Sequence, residues 1–166
     1  MLYVEDLTQN YQVRNMTEHL EELSALYAEN PQDFAALGQE VPTENLWEDL
    51  VAVPCGMSCL SKAFLGFWDG DKLVAVLELV IDYPEDNFAY VGLFMMSASR
   101  QGTGEGSRIM EEVFRWLKND GYTWVELAYT YGNEQSEHFW KKNGFVGTGD
   151  IHQQGDYYVV GMHREL

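Results

Sequence analysis

The residues best suited to chemistry form the run Arg100-Gln101-Gly102-Thr103-Gly104-Glu105-Gly106-Ser107, between an apolar stretch and an amphipathic one. Glycines at 102, 104 and 106 let the main chain turn tightly and bring its N–H groups close to a ligand. Downstream, Ile109, Met110, Val113, Phe114 and Leu117 recur at helical spacing and define one apolar face. A helix starting there points unpaired N–H groups and the positive end of its dipole back at the loop, an arrangement that suits a phosphate. Upstream, Phe88 to Met96 has the apolar, aromatic composition of a buried strand. Strand, glycine loop and helix together read as a pyrophosphate cradle, the plainer alternative being a turn that only connects two elements. A P-loop needs Gly-Lys-Ser/Thr at its end, whereas Gly106-Ser107-Arg108 has no such lysine. A dinucleotide fold needs an early βαβ unit with G-x-G-x-x-G and an acid roughly 20 residues on. Here the glycines alternate, lie past mid-chain and have no repeated βαβ pattern around them.

A second motif runs Asn133-Glu134-Gln135-Ser136-Glu137-His138-Phe139-Trp140-Lys141-Lys142-Asn143-Gly144-Phe145. Asn133 is suited to cap a helix that ends at Asn143-Gly144 in a left-handed turn, and Thr123 to Tyr129 before it makes a strand. Gln101-x-x-Gly104-x-Gly106 resembles the Q/R-x-x-G-x-G/A loop with which the GNAT acetyltransferases hold the pyrophosphate of acetyl-CoA. The second segment is similar to the N-x-x-A-x-x-F-Y-x-x-x-G-F stretch that follows that loop in the same family. Ser136 stands where alanine is usual and Trp140 where tyrosine is usual.

The resemblance implies the GNAT fold, with the strands around Leu93–Met96 and Val125–Tyr129 splayed at the acetyl-CoA site. It also assigns residues by position. Main-chain groups of Phe94 and Met96 would hold the pantetheine and acetyl end. Gln101, Gly102, Thr103, Gly104, Gly106 and Ser107 would hold the pyrophosphate. Asn133 would bond the pantetheine region, and Trp140 would pack against the cofactor. In relatives the tyrosine at that last position protonates the departing thiolate; an indole N–H donates a hydrogen bond but is no useful acid. The implied activity is transfer of the acetyl group to a primary amine, of a small molecule or a peptide. The alternative is a weak or inactive acyl-CoA-binding protein of the same fold, with a regulatory role.

Transfer to an amine needs a neutral nucleophile. An alkyl amine with a pKa near 10.4 is neutral in only about one molecule in 2,500 at pH 7, so a base is wanted. Glu78 is the best candidate base, as the only charge inside Leu73-Val74-Ala75-Val76-Leu77-Glu78-Leu79-Val80-Ile81. A carboxylate there must face a wet cleft or meet a partner such as Arg108, because burying it alone costs several kcal/mol. Asp82 and Tyr83, near the same strand end, and Tyr129 are candidates to line the substrate pocket. Tyr129, Tyr131 or water would stand in for the missing acid, and His152 and Tyr157 are candidates for the pocket rim. His138, two residues before Trp140, reads as a solvated surface residue.

The chain has 166 residues, 46% of them hydrophobic and 14% aromatic, an ordinary globular composition. Its net charge of −17 argues against nucleic acid and an anionic membrane surface as partners, and would attract a cationic acceptor. Solubility alone is the plainer reading of that charge. No apolar run approaches the roughly 20 residues of a membrane span, and the acidic, polar N-terminus is unlike a signal peptide, so a cytoplasmic protein is expected. Cys55 and Cys59 lack a second pair or clustered histidines, so reduced thiols and no metal are expected. A homodimer is left open.

The elements needed to position these residues follow from periodicity. Residues 1 to 10 read as a loose or edge segment and Tyr11 to Arg14 as a first strand. Thr17 is the expected cap of a helix carrying Leu20, Leu23, Leu26 and Tyr27, which Asn30-Pro31 stops. Further helix is expected over Asp33 to Leu37 and Glu44 to Leu50, interrupted by Gly38 and Pro42. Ala63 to Trp68 and Lys72 to Ile81 read as strands joined by Asp69-Gly70-Asp71, and Tyr83 to Asn87 as a second turn. A last strand pair is expected at Gly144 to Thr148 and Tyr157 to Met162. Together these give one α/β (α+β) domain over residues 1–166, with a mixed, largely antiparallel sheet flanked by helices.

Overall fold

The structure is a computed structural model and describes residues 3–166. Seven strands form one sheet: β1 (Gln12–Asn15), β2 (Lys62–Asp69), β3 (Lys72–Ile81), β4 (Phe88–Met96), β5 (Trp124–Thr130), β6 (Val146–Gln154) and β7 (Tyr157–Glu165). Their order across the sheet is β1-β2-β3-β4-β5-β7-β6. Five helices flank it: α1 (Leu20–Ala28), α2 (Pro31–Ala35), α3 (Leu46–Val51), α4 (Glu105–Asn119) and α5 (Glu134–Lys142). Adjacent strands run antiparallel except β4 and β5, which α4 connects by a crossover and which are therefore parallel. This is the mixed, mostly antiparallel sheet expected from the sequence.

Strands β2 and β3 read as unbroken apolar runs because both faces of the sheet are covered there. Leu65, Phe67, Leu77 and Leu79 face the side packed by Ile109, Met110, Val113 and Leu117 of α4 and by Trp140 of α5. Phe64, Trp68 and Val76 face the other side, packed by Leu23, Leu26 and Tyr27 of α1 and by Leu46 and Leu50 of α3. Glu78 shares the pleat of Val76, so it points to the side of α1 and α3.

Several boundaries differ from expectation for local reasons. Thr17 does not cap α1: a 3-10 turn over Met16–Glu18 intervenes, and Asn15 caps that turn by accepting the Thr17 N–H. Asn30-Pro31 ends α1 and also opens α2, with the proline at its first turn, where a missing N–H costs nothing. In the segment read as loose, Leu7 is buried in the α4-side core, while positions 1 and 2 lie outside the described residues. Strand β6 runs on to Gln154 and pairs with β7 through a tight turn at Gly155.

Candidate functional site

Strands β4 and β5 pair only from Phe88–Trp124 to Val91–Leu127 and separate beyond that point. The separation starts at a bulge. Glu78 of β3 faces Leu93 and Leu79 faces Val91, so Gly92 is the extra residue of β4. A bulge bends its strand and increases the local twist, which carries the end of β4 away from β5. Gly92 also makes room for a side chain: a Cβ there would lie 2.8 Å from the Glu78 carboxyl carbon.

The gap is the floor of a cleft of about 660 Å³, within the usual range for a small-molecule site. Ser97 donates its N–H to Val74 O at 2.7 Å. Alternation along the strand therefore turns the main chain of Met95 toward β3 and that of Phe94 and Met96 into the gap. The Met96 carbonyl is already engaged there by the Asn30 and Gln101 carboxamides, both at 3.1 Å.

At one end of the cleft the glycine loop leads into α4. Gly102 (φ 73°) and Gly104 (φ 80°) adopt the left-handed conformation that disfavours a side chain. The first helical hydrogen bond is donated by Arg108 N–H to Gly104 O at 3.2 Å. The N–H groups of Gly106 and Ser107 precede it and so lie outside the helical ladder. Thr103 organises the turn, its hydroxyl donating to Arg100 O at 2.8 Å and accepting from Glu105 N–H at 3.3 Å. Gly106 lets α4 sit close against its neighbours, since a Cβ would meet Met96 and Phe139 atoms at 3.4 Å.

Behind the loop, buried Glu105 accepts hydrogen bonds from Tyr11 at 2.6 Å and Arg100 at 2.8 Å, and Arg100 also pairs with Asp69 at 2.9 Å. Burial first, then Glu105, push the Tyr11 hydroxyl up to about 12. The folded chain thus holds this proton after an unfolded tyrosine, near 10, has released it. Stability is expected to fall as pH rises from about 10 to about 12, and Tyr11→Phe should make that fall shallower. Urea unfolding at intervals over this range checks it; a variant with the parent's slope would refute the linkage. Tyr27, Tyr90, Tyr122 and Tyr129 shift the same way through burial, so a fall of smaller size remains.

Of the residues singled out from the sequence, the structure brings Phe94, Met96, Gln101, Gly102, Gly104, Gly106, Ser107, Tyr129, Asn133 and Trp140 around this cleft. Gln101 turns inward, donating to Asn30 Oδ1 at 2.6 Å as well as to Met96 O. Ser107 Oγ accepts from Asn143 at 3.1 Å, tying α4 to the end of α5. Asn133 caps α5, accepting the Ser136 N–H at 3.1 Å. Trp140 is 6% exposed and packs among Phe94, Phe139 and Phe145, with ring centroids 6.2, 4.9 and 5.2 Å away.

Thr103, which shapes the loop, and Glu78, which packs against Gly92, are not among the residues lining the cleft. Two expectations fail outright on position. Asp82 lies in the exposed turn after β3, its φ is 55°, and its carboxylate accepts the Asn87 N–H at 3.1 Å, so it does not line the cleft. Tyr83 stands behind a lining residue, edge-on to the Tyr90 ring at 5.4 Å. A third expectation concerns the partner of Glu78. It is not Arg108, which borders a separate hollow beside Tyr11 and Glu112. It is Lys62 of β2, whose Nζ lies 2.9 Å from Glu78 Oε1.

Other cleft residues were not legible. Asp33 and Phe34 of α2 reach the cleft, and burial raises the Asp33 carboxyl against a hydrogen bond from Asn133. Fully buried Asn30 bridges α1, β4 and the loop, although its sequence signature is only that of a helix stop. His138 and Lys142 border the cleft from α5. His138 is exposed, as its spacing from buried Trp140 suggests, and borders the cleft from the solvent side. Tyr157 lines the cleft, whereas exposed His152 does not.

The model of the acetyltransferase (GNAT) family matches residues 17–145. The chain belongs to that family. An acetyltransferase from Thermus thermophilus superposes with a TM-score of 0.75 at 21% identity, covering 95% of this chain and 97% of that one. The PaiA N-acetyltransferase from Thermoplasma acidophilum, in complex with coenzyme A, gives a TM-score of 0.62 at 19% identity over 94% and 99% of the two chains. A Bacillus anthracis protein in complex with acetyl coenzyme A gives 0.57 at 15% identity over 77% of each chain. At such identities the likeness is one of fold. No curated protein sequence gives a significant match. Among the described residues of this GNAT protein no cluster of His, Cys, Asp or Glu is arranged to hold a metal ion, and Cys55 and Cys59 are free and exposed. No described helix is long and apolar enough to cross a membrane.

Proposed function

We propose that this GNAT protein, acting as one domain over residues 1–166, transfers the acetyl group of acetyl-CoA to a primary amine. The observation that carries this reading is the continuity of the cleft. It runs from the N–H groups at the start of α4, through the β4–β5 gap, to the bulge at Gly92; Glu78 does not line the cleft but packs its carboxylate against that glycine. The donor set fits acetyl-CoA in order. N–H groups of Gly102, Gly104, Gly106 and Ser107 would take the pyrophosphate, with Gln101 at the loop's entrance, while Thr103, outside the lining, shapes the turn. Lys142 and His138 stand close by. Main-chain groups of Phe94 and Met96, with the Asn133 carboxamide, take the pantetheine amides as a strand would. Tyr129 and Trp140 wall the gap.

In the transfer, the amine nitrogen forms a bond to the thioester carbonyl carbon and the C–S bond breaks, releasing coenzyme A as thiolate. The ammonium proton passes to Glu78 directly or through a water. A thiol with a pKa near 8.5 leaves readily as its anion, which lessens the need for a general acid. Trp140 then contributes packing rather than a proton, as its aromatic surroundings favour. Trp140→Phe is expected to keep most activity, and Trp140→Tyr to be tolerated. A loss above about 100-fold in a folded Trp140→Phe protein would give the indole N–H a positioning role instead.

The test is incubation with acetyl-CoA and a panel of polyamines, aminoglycosides, amino acids and peptide N-termini, with thiol release as the readout. Release that depends on one acceptor class supports the transferase. Tight acetyl-CoA binding without release from any acceptor would favour the regulatory alternative, for which Trp140 in the tyrosine place is the one supporting feature. Stabilisation by ATP or NAD and not by coenzyme A would overturn both.

A further inference from the structure

Lys62 has a side chain only 4% exposed, yet its ammonium has an acceptor for each of its three protons. Nζ donates to Asp49 O at 2.8 Å and Ala52 O at 2.6 Å, and lies 2.9 Å from Glu78 Oε1. The two carbonyls belong to the end of α3, where main-chain acceptors have no partner within the helix. One side chain therefore joins the end of α3 to the only charged residue within β3's apolar run.

We propose that Lys62 is the positioning residue for acetyl transfer: it takes Oε1 of Glu78, fixes the carboxylate over Gly92 and leaves Oε2 to receive the proton. This rests on the reading of Glu78 as the proton acceptor. Space and charge both support it. The missing Cβ of Gly92 is what admits the carboxylate, whose oxygens lie 3.0 and 3.1 Å from where that atom would be. Without a cation on its other side, nothing in this arrangement would hold the carboxylate against the bulge.

The groups around Glu78 come from four elements: Lys62 from β2, Tyr27 from α1, Asp49 from α3 and Tyr90 from β4, with Tyr83 and Glu126 beyond Tyr90. Burial raises both Tyr27 and Tyr90, reinforced at Tyr27 by the Glu78 charge and at Tyr90 by Tyr83 and Glu126 before Glu78, so these phenols keep their protons through the working range. Asp49 and Glu126 are of the same sign as Glu78. Lys62 is thus the one neighbour in this set that favours a charged Glu78, and its removal should make the carboxyl harder to ionise.

The test compares Lys62→Met, Lys62→Arg and Glu78→Gln proteins. Carboxyl carbons of labelled glutamate are titrated by NMR, the Glu78 signal being the one lost in Glu78→Gln. In parallel, kcat/KM is followed from pH 5 to 10 with an acceptor found in the panel above. In Lys62→Met the Glu78 midpoint and the acidic limb of kcat/KM should both rise by about one pH unit or more, with coenzyme A affinity within about threefold of the parent. Lys62→Arg, which keeps the charge, should restore at least half of that shift. In the Glu78→Gln background, Lys62→Met should cost less than about threefold more in kcat/KM, because one acts through the other.

An unmoved Glu78 midpoint would overturn the proposal even if stability drops, since a pin for α3 alone would not alter that titration. A midpoint that moves while the rate limb stays put would remove Glu78 from proton transfer, and Lys62's catalytic role with it. If Lys62→Met does not fold, Lys62→Gln, which still donates to the α3 carbonyls, is held to the same midpoint.

Discussion

Glu78→Gln is expected to lower kcat/KM at neutral pH by roughly 10²–10⁴-fold while leaving acetyl-CoA affinity close to that of the parent. The substitution keeps the size of the side chain and an oxygen for Lys62, so the packing over Gly92 survives, while the charge paired with Lys62 and the ability to take a proton are lost. The groups proposed to hold acetyl-CoA line the cleft from the gap to the start of α4, whereas Glu78 is not among its lining residues, which is why affinity should hold. Raising the pH should recover part of the loss, because the amine deprotonates itself as its own pKa, near 10.4, is approached. A carboxylate that only anchors a cationic acceptor behaves differently: its loss raises KM chiefly and high pH gives no rescue. Measuring kcat and KM from about pH 6 to 10 separates the two. A glutamine protein equal to the parent at every pH would make Glu78 structural, and Asp33 would become the carboxylate to test, since it lines the cleft.

The second large effect belongs to the glycine loop. Gly106→Val is expected to weaken acetyl-CoA at least tenfold, about 1.4 kcal/mol, because the new methyls would press on Met96 and Phe139, 3.4 Å from a Cβ, and tilt the N–H groups beside it. Gly104→Val should reach a similar loss by a different route. Nothing lies within 4 Å of a Cβ there, but φ is 80°, a conformation that a β-branched residue avoids, so the turn itself would open. Desulfo-coenzyme A should follow coenzyme A through both substitutions, since the pyrophosphate end is what is disturbed. Calorimetric affinities check both changes, with thermal melting to show that each protein is folded. Parent-like affinity in either protein would take that glycine out of the site.

What the sequence determined by itself is local. Alternating glycines before an amphipathic helix, an asparagine before the next one, and apolar runs bounded by turn residues are interactions within a few positions. They sufficed for the strand–loop–helix cradle, the Asn133 cap and a mixed sheet with helices on it. Glu78 was legible as a carboxylate in need of a partner because burial of a lone charge is so costly. Which partner it has was decided by strand register. Lys62 faces Val80 across β2–β3, two positions from the Phe64–Glu78 pair and on the same face. Arg108 sits beside the hollow near Tyr11. The extra residue at Gly92 likewise appears only once β3 and β4 are paired, and that bulge opens the cleft. Asp33, Asn30 and His138 carried no periodic signal of function. Their places at or beside the cleft arise from α1, α2 and α5 meeting around the separated strands, and short helices take their places from packing, to which local propensity contributes little.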